Sequence, residues 1–283
     1  MLRMGMGLWQ DSRRPGWDAD ALAFFTRAAV TDPVVMLRHN RMVKTLKSKG
    51  LWDSLAIWYG ADAGALNSIS PVTPATNGQT VRKWINRKGD SIHVEQSTGT
   101  AMPLYQSGTG LNGSPAIVPD GVDDCLLATL PAAIPSPFTM CVAGVRMGQI
   151  GAGFGGYRSM VNAFSGPRLV DYSAAHATYL AGQDANDYFT GVNNPTGNNL
   201  IAGVFNGTNS KSYHYGKALP SSAGSVVANS LNNTLRLFQG TGGPATYYGG
   251  GFYSHIFIFS KEITDAEFLI MQTMLHVNYG GLP

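Results

Sequence analysis

Between Asp32 and Gly50 the chain sets Val35, Met36, Met42, Val43 and Leu46 along one stripe, while Arg38, Arg41, Lys44, Lys47 and Lys49 fall mostly elsewhere. That spacing predicts an amphipathic helix with a basic outer face. Its ends are marked: Asp32 before Pro33 is an N-cap carboxylate ahead of a proline in the first turn, and Gly50 is a natural stop. A further helix is predicted after residue 263. Thr264 and Glu267 form a capping box, Ile263 and Phe268 a hydrophobic staple around it, and Phe268, Met271 and Leu275 a buried stripe that Gly280 and Gly281 bring to an end.

From about Gly60 the pattern changes. NSISPVTPATNG is a polar, Pro-containing connector, and short β-type runs separated by Gly, Asn and Pro follow it. They are SIHVEQ, CLLATL, PFTMCVAGVRM, NLIAGVF, KSYHYGK, TLRLFQ and GFYSHIFIFS. Alternation is only approximate in Phe138, Met140 and Val142 and in Phe252, His255, Phe257 and Phe259, as expected of strands in a two-layer packing. Many short strands with no helix between them predict a mainly β chain built as an antiparallel sandwich, because parallel strands need crossover helices. The division expected is a helical segment at 1–60, a linker at 61–79 and a sandwich at 80–283.

Composition agrees with a β-rich globular chain: 44% hydrophobic, 13% charged, with 35 glycines and 15 prolines in 283 residues. A net charge of +3 without any long run of one sign gives no reason to expect a nucleic-acid partner. Cys125 and Cys141 are too few for a disulfide framework or a zinc site, and they read as small core residues. No stretch approaches the roughly 18 apolar residues of a membrane span, and MLRMGMGLWQDSRRPGW lacks the apolar region of a signal peptide. Synthesis in the cytosol without signal-peptide export is therefore expected.

Three separated stretches point to one family. VRKWINRKGDSIHVEQSTGTAMPLYQSGTGLNGSPAIVPDGVDDCL resembles the entry segment of concanavalin A-like, laminin-G-type β-sandwich modules. VFNGTNSKSYHYGKAL is similar to that family's strand pair with its Tyr-x-x-Gly-Lys hairpin, and GGGFYSHIFIFSKEITDAEFLIMQTMLHVNYG to its last strand and terminal helix. Together they cover roughly residues 80 to 281. FFTRAAVTDPVVMLRHNRMVKTLKSKGLWDSLAIWYGADAG in turn resembles a helical segment preceding such sandwiches in tailed-bacteriophage structural proteins, with its Gly-x-Trp-x-x-Leu turn at Gly50 to Leu55. The resemblance implies a concanavalin A-like jelly roll in a virion protein, a capsid decoration or a tail or fibre component, present in many copies beside other virion proteins and made in the host cytoplasm. Pro119 and His255 depart from the family's usual aromatic or aliphatic residue and glutamate.

Candidate sites follow from residue chemistry. Asp120, Asp123 and Asp124 converge in VPDGVDDCL, where the Asp-Gly-x-Asp-Asp pattern reads first as a strand-to-strand corner held by side-chain to backbone bonds. Calcium, which takes about six to eight oxygens, is the alternative. No catalytic residue is expected: the Glu-x-Asp-x-x-Glu strand of related glucanases is absent, and Glu262, Asp265 and Glu267 cap a helix. The six histidines show no metal-binding spacing, and GQIGAGFGG lacks the strand and helix of a dinucleotide loop.

The loop regions 182–199 and 240–250 read first as protein–protein contacts in a particle, with a host-surface glycan as the alternative partner. Tyr188, Phe189, Tyr247 and Tyr248 offer flat faces in the loop regions 182–199 and 240–250, with Asp184, Asp187, Asn193 and Asn194 as hydrogen-bonding groups. Arg38, Arg41, Lys44 and Lys47 are expected to dock the helical segment onto acidic residues of a virion neighbour. The alternative is a free carbohydrate-binding or carbohydrate-cleaving protein of the concanavalin A-like type.

Overall fold

The three longest apolar strands, Phe138–Val145, Asn198–Phe205 and Phe252–Phe259, are buried at nearly every position because both their faces are covered. The computed structural model describes residues 16–145, 157–163, 168–172, 177–181, 188–193, 197–207, 209–214, 217–219, 230–231, 234–242, 245–248 and 251–282. In the first sheet these strands lie side by side, flanked by Lys211–His214 and Lys217–Leu219 on one side and by Ala116–Val118 and Leu104–Gln106 on the other. The second sheet runs in order Tyr188–Asn193, Ala177–Ala181, Arg168–Tyr172, Tyr157–Ala163, Thr234–Leu237, Leu126–Thr129, Val94–Glu95, Lys83–Trp84, Ala65–Ile69 and Val72–Pro74. All these pairings are antiparallel.

Met140, Val142, Ile201, Phe205, Ile256 and Ile258 face the second sheet and pack with its Trp84, Val94, Leu126, Leu235 and Leu237. The alternate positions Cys141, Ala143, Ala202, Val204, Phe257 and Phe259 belong to a separate cluster with the helices. Those helices are α1 (Ala19–Arg27), α2 (Pro33–Ser48) and α3 (Asp265–Tyr279). The molecule therefore has three layers, sheet, sheet and helices. The loose alternation in the sequence reflects strands buried from both sides rather than a two-layer packing.

Helix ends are where the sequence places them. The Asp32 carboxylate accepts from Val34 N at 2.8 Å, with Pro33 in the first turn. Thr264 and Glu267 complete a reciprocal capping box, and Gly50 has the left-handed φ of 68° that follows a helix end. Met36, Met42, Val43 and Leu46 are buried, as expected, while Val35 of the same stripe is only half-buried and His39 and Asn40 are buried in addition.

The structure divides the chain differently from the sequence reading. Leu55–Gly60, expected inside the helical segment, is a strand paired with Phe252–Phe259, from Leu55 opposite Phe259 to Gly60 opposite His255. Within the expected linker, Ala65–Ile69 and Val72–Pro74 form the edge hairpin of the second sheet, with Ala65 opposite Trp84. Pro71 and Pro74 disguise this hairpin in the sequence, yet proline is tolerated at an edge, where a backbone N–H is not needed.

Because α1 and α2 roof the first sheet, residues 61–283 alone are expected to aggregate or to remain unfolded by circular dichroism. A soluble, cooperatively melting fragment would show instead that the helices are an appendage. Leu46→Ala, which empties a position between α2 and the sheet, is expected to lower unfolding free energy in urea by about 2–5 kcal/mol.

Candidate functional site

Two buried charged residues meet under the helical layer. Asp62 lies in the turn after the Leu55–Gly60 strand, and Arg87 lies beyond Lys83–Trp84. The Arg87 side chain is fully buried, and its Nη2 donates to Asp62 Oδ1, to the Gly60 carbonyl at 2.8 Å and to the Ala63 carbonyl at 3.1 Å. Its guanidinium sits 5.2 Å from the ring centroids of both Phe24 and Trp58, where cation–π attraction replaces part of the lost hydration. Gly60 is required here, because a Cβ at that position would run into the guanidinium.

The other Asp62 oxygen accepts from the Tyr279 hydroxyl at 2.7 Å and faces Arg38 Nη1 at 3.5 Å, while the Arg38 guanidinium lies 4.5 Å from the Tyr279 ring centroid. Burial opposes the charge on Asp62, yet the Arg87 cation and these hydrogen bonds prevail and hold its carboxyl well below the usual range. His39 stacks on Trp58 at 4.8 Å, and Trp58 Nε1 donates to His255 Nδ1 at 3.4 Å. Burial, reinforced by Arg87, keeps both imidazoles neutral, and His255 is pushed down to about 3.

Above this pair opens a cleft of about 520 Å³, within the range of small-ligand sites. The α1–α2 connection, the first turns of α2, the 61–65 turn, the 111–115 turn and the end of α3 border it. Arg38 and Asp62 form its charged side, and Tyr279, Tyr105 and Ser114 bring hydroxyls. Among the described residues, the buried Ser114 Oγ has no hydrogen-bond partner. Ala61, Ala63, Ala65 and Ala75 leave the space that larger side chains would fill. Two lining residues, Ala29 and Asn112, have left-handed φ of 50° and 45°, a conformation that carries strain for an alanine.

At the acidic corner, the Asp120 carboxylate accepts from Val122 N at 2.7 Å and from Asp123 N at 3.3 Å, and Asp124 Oδ2 accepts from Asp120 N at 2.7 Å. This is the turn that the residue pattern predicts. One oxygen from each of Asp120, Asp123 and Asp124 lies within 4.8 Å of the others, a spacing that can hold a cation. Burial raises the Asp124 pKa to about 6, with the neighbouring Asp120 and Asp123 charges adding to it and the Asp120 backbone bond opposing it.

Of the expected glycan residues, Asp184, Asp187 and Asn194 lie outside the described residues. Tyr188, Phe189 and Asn193 belong to the edge strand Tyr188–Asn193, and Tyr247 and Tyr248 to Ala245–Tyr248, which pairs with Gln239–Gly242. The strands that follow these two regions begin at one end of the first sheet, where Val145 faces both Asn198 and Phe252. The cleft wall reaches the same end: the Asn198 amide accepts from Asn112 N at 3.2 Å and donates to the Gly281 carbonyl at 2.9 Å.

Two cations of the α2 basic face, Arg38 and Lys47, find counter-charges within their own chain. Arg38 meets Asp62, Lys47 bonds Asp18 at 2.7 Å and Asp20 at 2.6 Å, and Lys44 donates to the Gly16 carbonyl. Arg41 is exposed. Sequence reasoning missed Asp62, Arg87, His39, Tyr105 and Tyr279 as cleft and ion-pair residues. The available signal was a single aspartate closing the apolar run IWYGAD; VRKWINR, with three cations, did not mark Arg87 as the buried one.

No protein-family model and no curated protein matches the sequence. Among solved structures, the binding domain of Paraclostridial Mosquitocidal Protein 1 is similar at TM-score 0.52 and 11% identity, over 81% of this chain and 56% of that one. Trypanosoma rangeli sialidase is matched at TM-score 0.47 and 10% identity, over 88% of this chain and 40% of that one. The binding domain of Botulinum Neurotoxin DC is matched at TM-score 0.45 and 13% identity, over 78% and 51%. The chain thus spans well under two thirds of each of these proteins. At such identities the likeness is one of fold, and the mosquitocidal-protein domain agrees with the mainly β sandwich described above.

The buried histidines make stability depend on pH. His39 and His255, together with His93, whose pKa burial and nearby cations lower to about 4, stay neutral in the folded chain but take up protons near 6.5 when unfolded. Their contribution is complete above about pH 7 and is lost as pH falls toward those folded values, each net proton giving about 1.4 kcal/mol per pH unit. Asp124, raised to about 6, offsets part of this loss because its own contribution is present at low pH and fades as pH rises through 6. Unfolding free energy is expected to decline from pH 7 to 4.5, and to decline less steeply in His255→Gln. A flat profile would contradict the buried neutral rings.

At the corner, Asp124→Asn is expected to raise the melting temperature at pH 7 and to change it little at pH 4. Millimolar calcium added to chelator-treated protein is expected to leave the melting temperature unchanged. A calcium-dependent rise lost in Asp123→Asn would make the corner a metal site.

Proposed function

We propose that the chain is a non-enzymatic, lectin-like attachment module of a tailed-bacteriophage particle, carried in many copies, whose rim cleft receives a sugar of the host surface. The observation that carries this reading is the cleft itself: its volume of about 520 Å³ suits a small ligand, and its carboxylates are already engaged. Asp32 caps α2, and Asp62 is ionised against Arg87, Arg38 and Tyr279. Glycoside hydrolysis in its common form needs a carboxylic acid that carries a proton, and an Asp62 held far down its range cannot act as one. What remains is a fixed arrangement of a cation, hydroxyls, amides and two tyrosine rings, which suits binding.

The particle assignment is supported by the resemblance of residues 24–64 to the segment that precedes sandwiches in phage structural proteins. Two buried free thiols suit folding in a reducing cytoplasm, and no described helix is long and apolar enough to cross a membrane. The attachment role gains support from a toxin binding domain that shares the sandwich fold. With Arg38 and Lys47 ion-paired and Lys44 bonded to a carbonyl inside the chain, docking through the α2 basic face rests on Arg41 and Lys49.

Two measurements test the parts separately. Mass spectrometry of purified virions is expected to find the chain in intact particles, and its absence would leave the free carbohydrate-binding or carbohydrate-cleaving protein. A glycan array is expected to show binding that Tyr105→Ala weakens by about tenfold or more without a comparable loss of melting temperature. Hydrolysis of a bound glycan would overturn the non-enzymatic reading.

A further inference from the structure

A smaller pocket of about 210 Å³ lies at the edge of the second sheet and shares no lining residue with the rim cleft. Leu66, Ile69, Val72 and Ile85 form its apolar walls, and Arg27, Lys83 and His93 its polar end. Ile69 and Val72 are 37% and 48% exposed, so the walls are open to an arriving group.

The polar end is under-satisfied. Arg27, the last residue of α1, has five N–H donors and among the described residues makes one long hydrogen bond, from Nη2 to the Asn86 carbonyl at 3.4 Å. Its Nε is buried with no partner among the described residues. His93 Nδ1 accepts from the Asn86 backbone N–H at 3.1 Å, so the proton of the neutral ring sits on Nε2 as a donor. Arg27 and His93 are thus oriented by one residue, Asn86, which is 2% exposed and fixed by its own side-chain bonds to Trp58 N at 3.0 Å and the Ser91 carbonyl at 3.1 Å. Lys83 shares its charge with Glu95 at 2.7 Å.

We propose that this pocket binds the carboxylate of a small organic acid on Arg27, with His93 Nε2 donating a further hydrogen bond and the acid's apolar part resting on Leu66, Ile69 and Val72. A monoanion fits better than phosphate. Lys83 is neutralised by its ion pair with Glu95, and the His93 ring is neutral at pH 7, because burial and the Lys83 and Arg27 charges outweigh Glu95 and Asp90. About one positive charge is left, on a planar fork that matches a carboxylate. The acid has two possible sources, a terminal acidic sugar or a free short-chain acid, and the same chemistry recognises both.

The test is an NMR titration of the His93 ring in the full chain with butyrate, glucuronate and inorganic phosphate. A bound anion favours the protonated imidazole, so a saturable shift with an increase in the His93 pKa is expected for the carboxylates. Arg27→Gln is expected to weaken binding by about tenfold or more, Arg27→Lys to restore part of it, and Arg82→Gln, outside the pocket, to change nothing. Preference for glucuronate assigns the site to an acidic sugar, and preference for butyrate to a free acid. Tighter binding of phosphate, no saturable shift, or a shift unaffected by Arg27→Gln overturns the proposal. Tyr105→Ala, which disables the rim cleft, is expected to leave these titrations unchanged, so failure here and failure of the glycan reading are separable.

Discussion

A guanidinium sealed beneath two helices can persist only if every neighbour accommodates it, and the arrangement around Arg87 follows from that requirement. Asp62 supplies the countercharge, two carbonyls accept its protons, the rings of Phe24 and Trp58 flank it, and Gly60 makes room. Removing one partner of such a pair leaves an uncompensated charge, an effect of about 3–5 kcal/mol. The pair also joins elements distant in sequence: Asp62 carries on to Arg38 of α2 and to Tyr279 at the end of α3. The helical roof and the first sheet are therefore held in register by directional bonds as well as by non-directional apolar contact.

That register shapes the cleft. Its charged side is the outer half of the ion-pair network, and its alanines are the small residues that let the helices approach the 61–65 turn without filling the space above it. The site is carried on the ends of packed elements, so its groups arrive already oriented and little ordering accompanies binding. The edge pocket follows a similar plan on a smaller scale, with the buried Asn86 as its fixed point.

The helices α2 and α3 were legible because their ends are written locally: Asp32 before Pro33, Gly50, and the Thr264–Glu267 box are short-range chemistry. The sandwich was legible from strand spacing. The third layer was not, although GFYSHIFIFS carries its mark. A strand covered on one face alternates, whereas Ile256 and Ile258 face one cluster and Phe257 and Phe259 another. The strand Leu55–Gly60 was read as the end of a helical segment because nothing local identifies its partner, nearly two hundred positions away. The cleft was illegible for the same reason. Asp62, Arg87 and Tyr279 are unremarkable one at a time, and only the fold brings them together, while the acidic corner, whose bonds span four residues at most, was read from its own letters.

The strand Phe252–Phe259 takes Phe138–Val145 on one edge and both Leu55–Gly60 and Ala116–Val118 on the other. Those earlier strands leave the ribosome with apolar faces exposed and their central neighbour not yet made. Closing the loop between residues 55 and 259 is a slow, entropically opposed step, so assembly of the first sheet waits until Phe252–Phe259 has been made. During that interval the unfinished polypeptide is a sticky nascent chain. Its yield in a cell should then depend on how quickly translation reaches Phe252–Phe259 and on the chaperones that shield it until then.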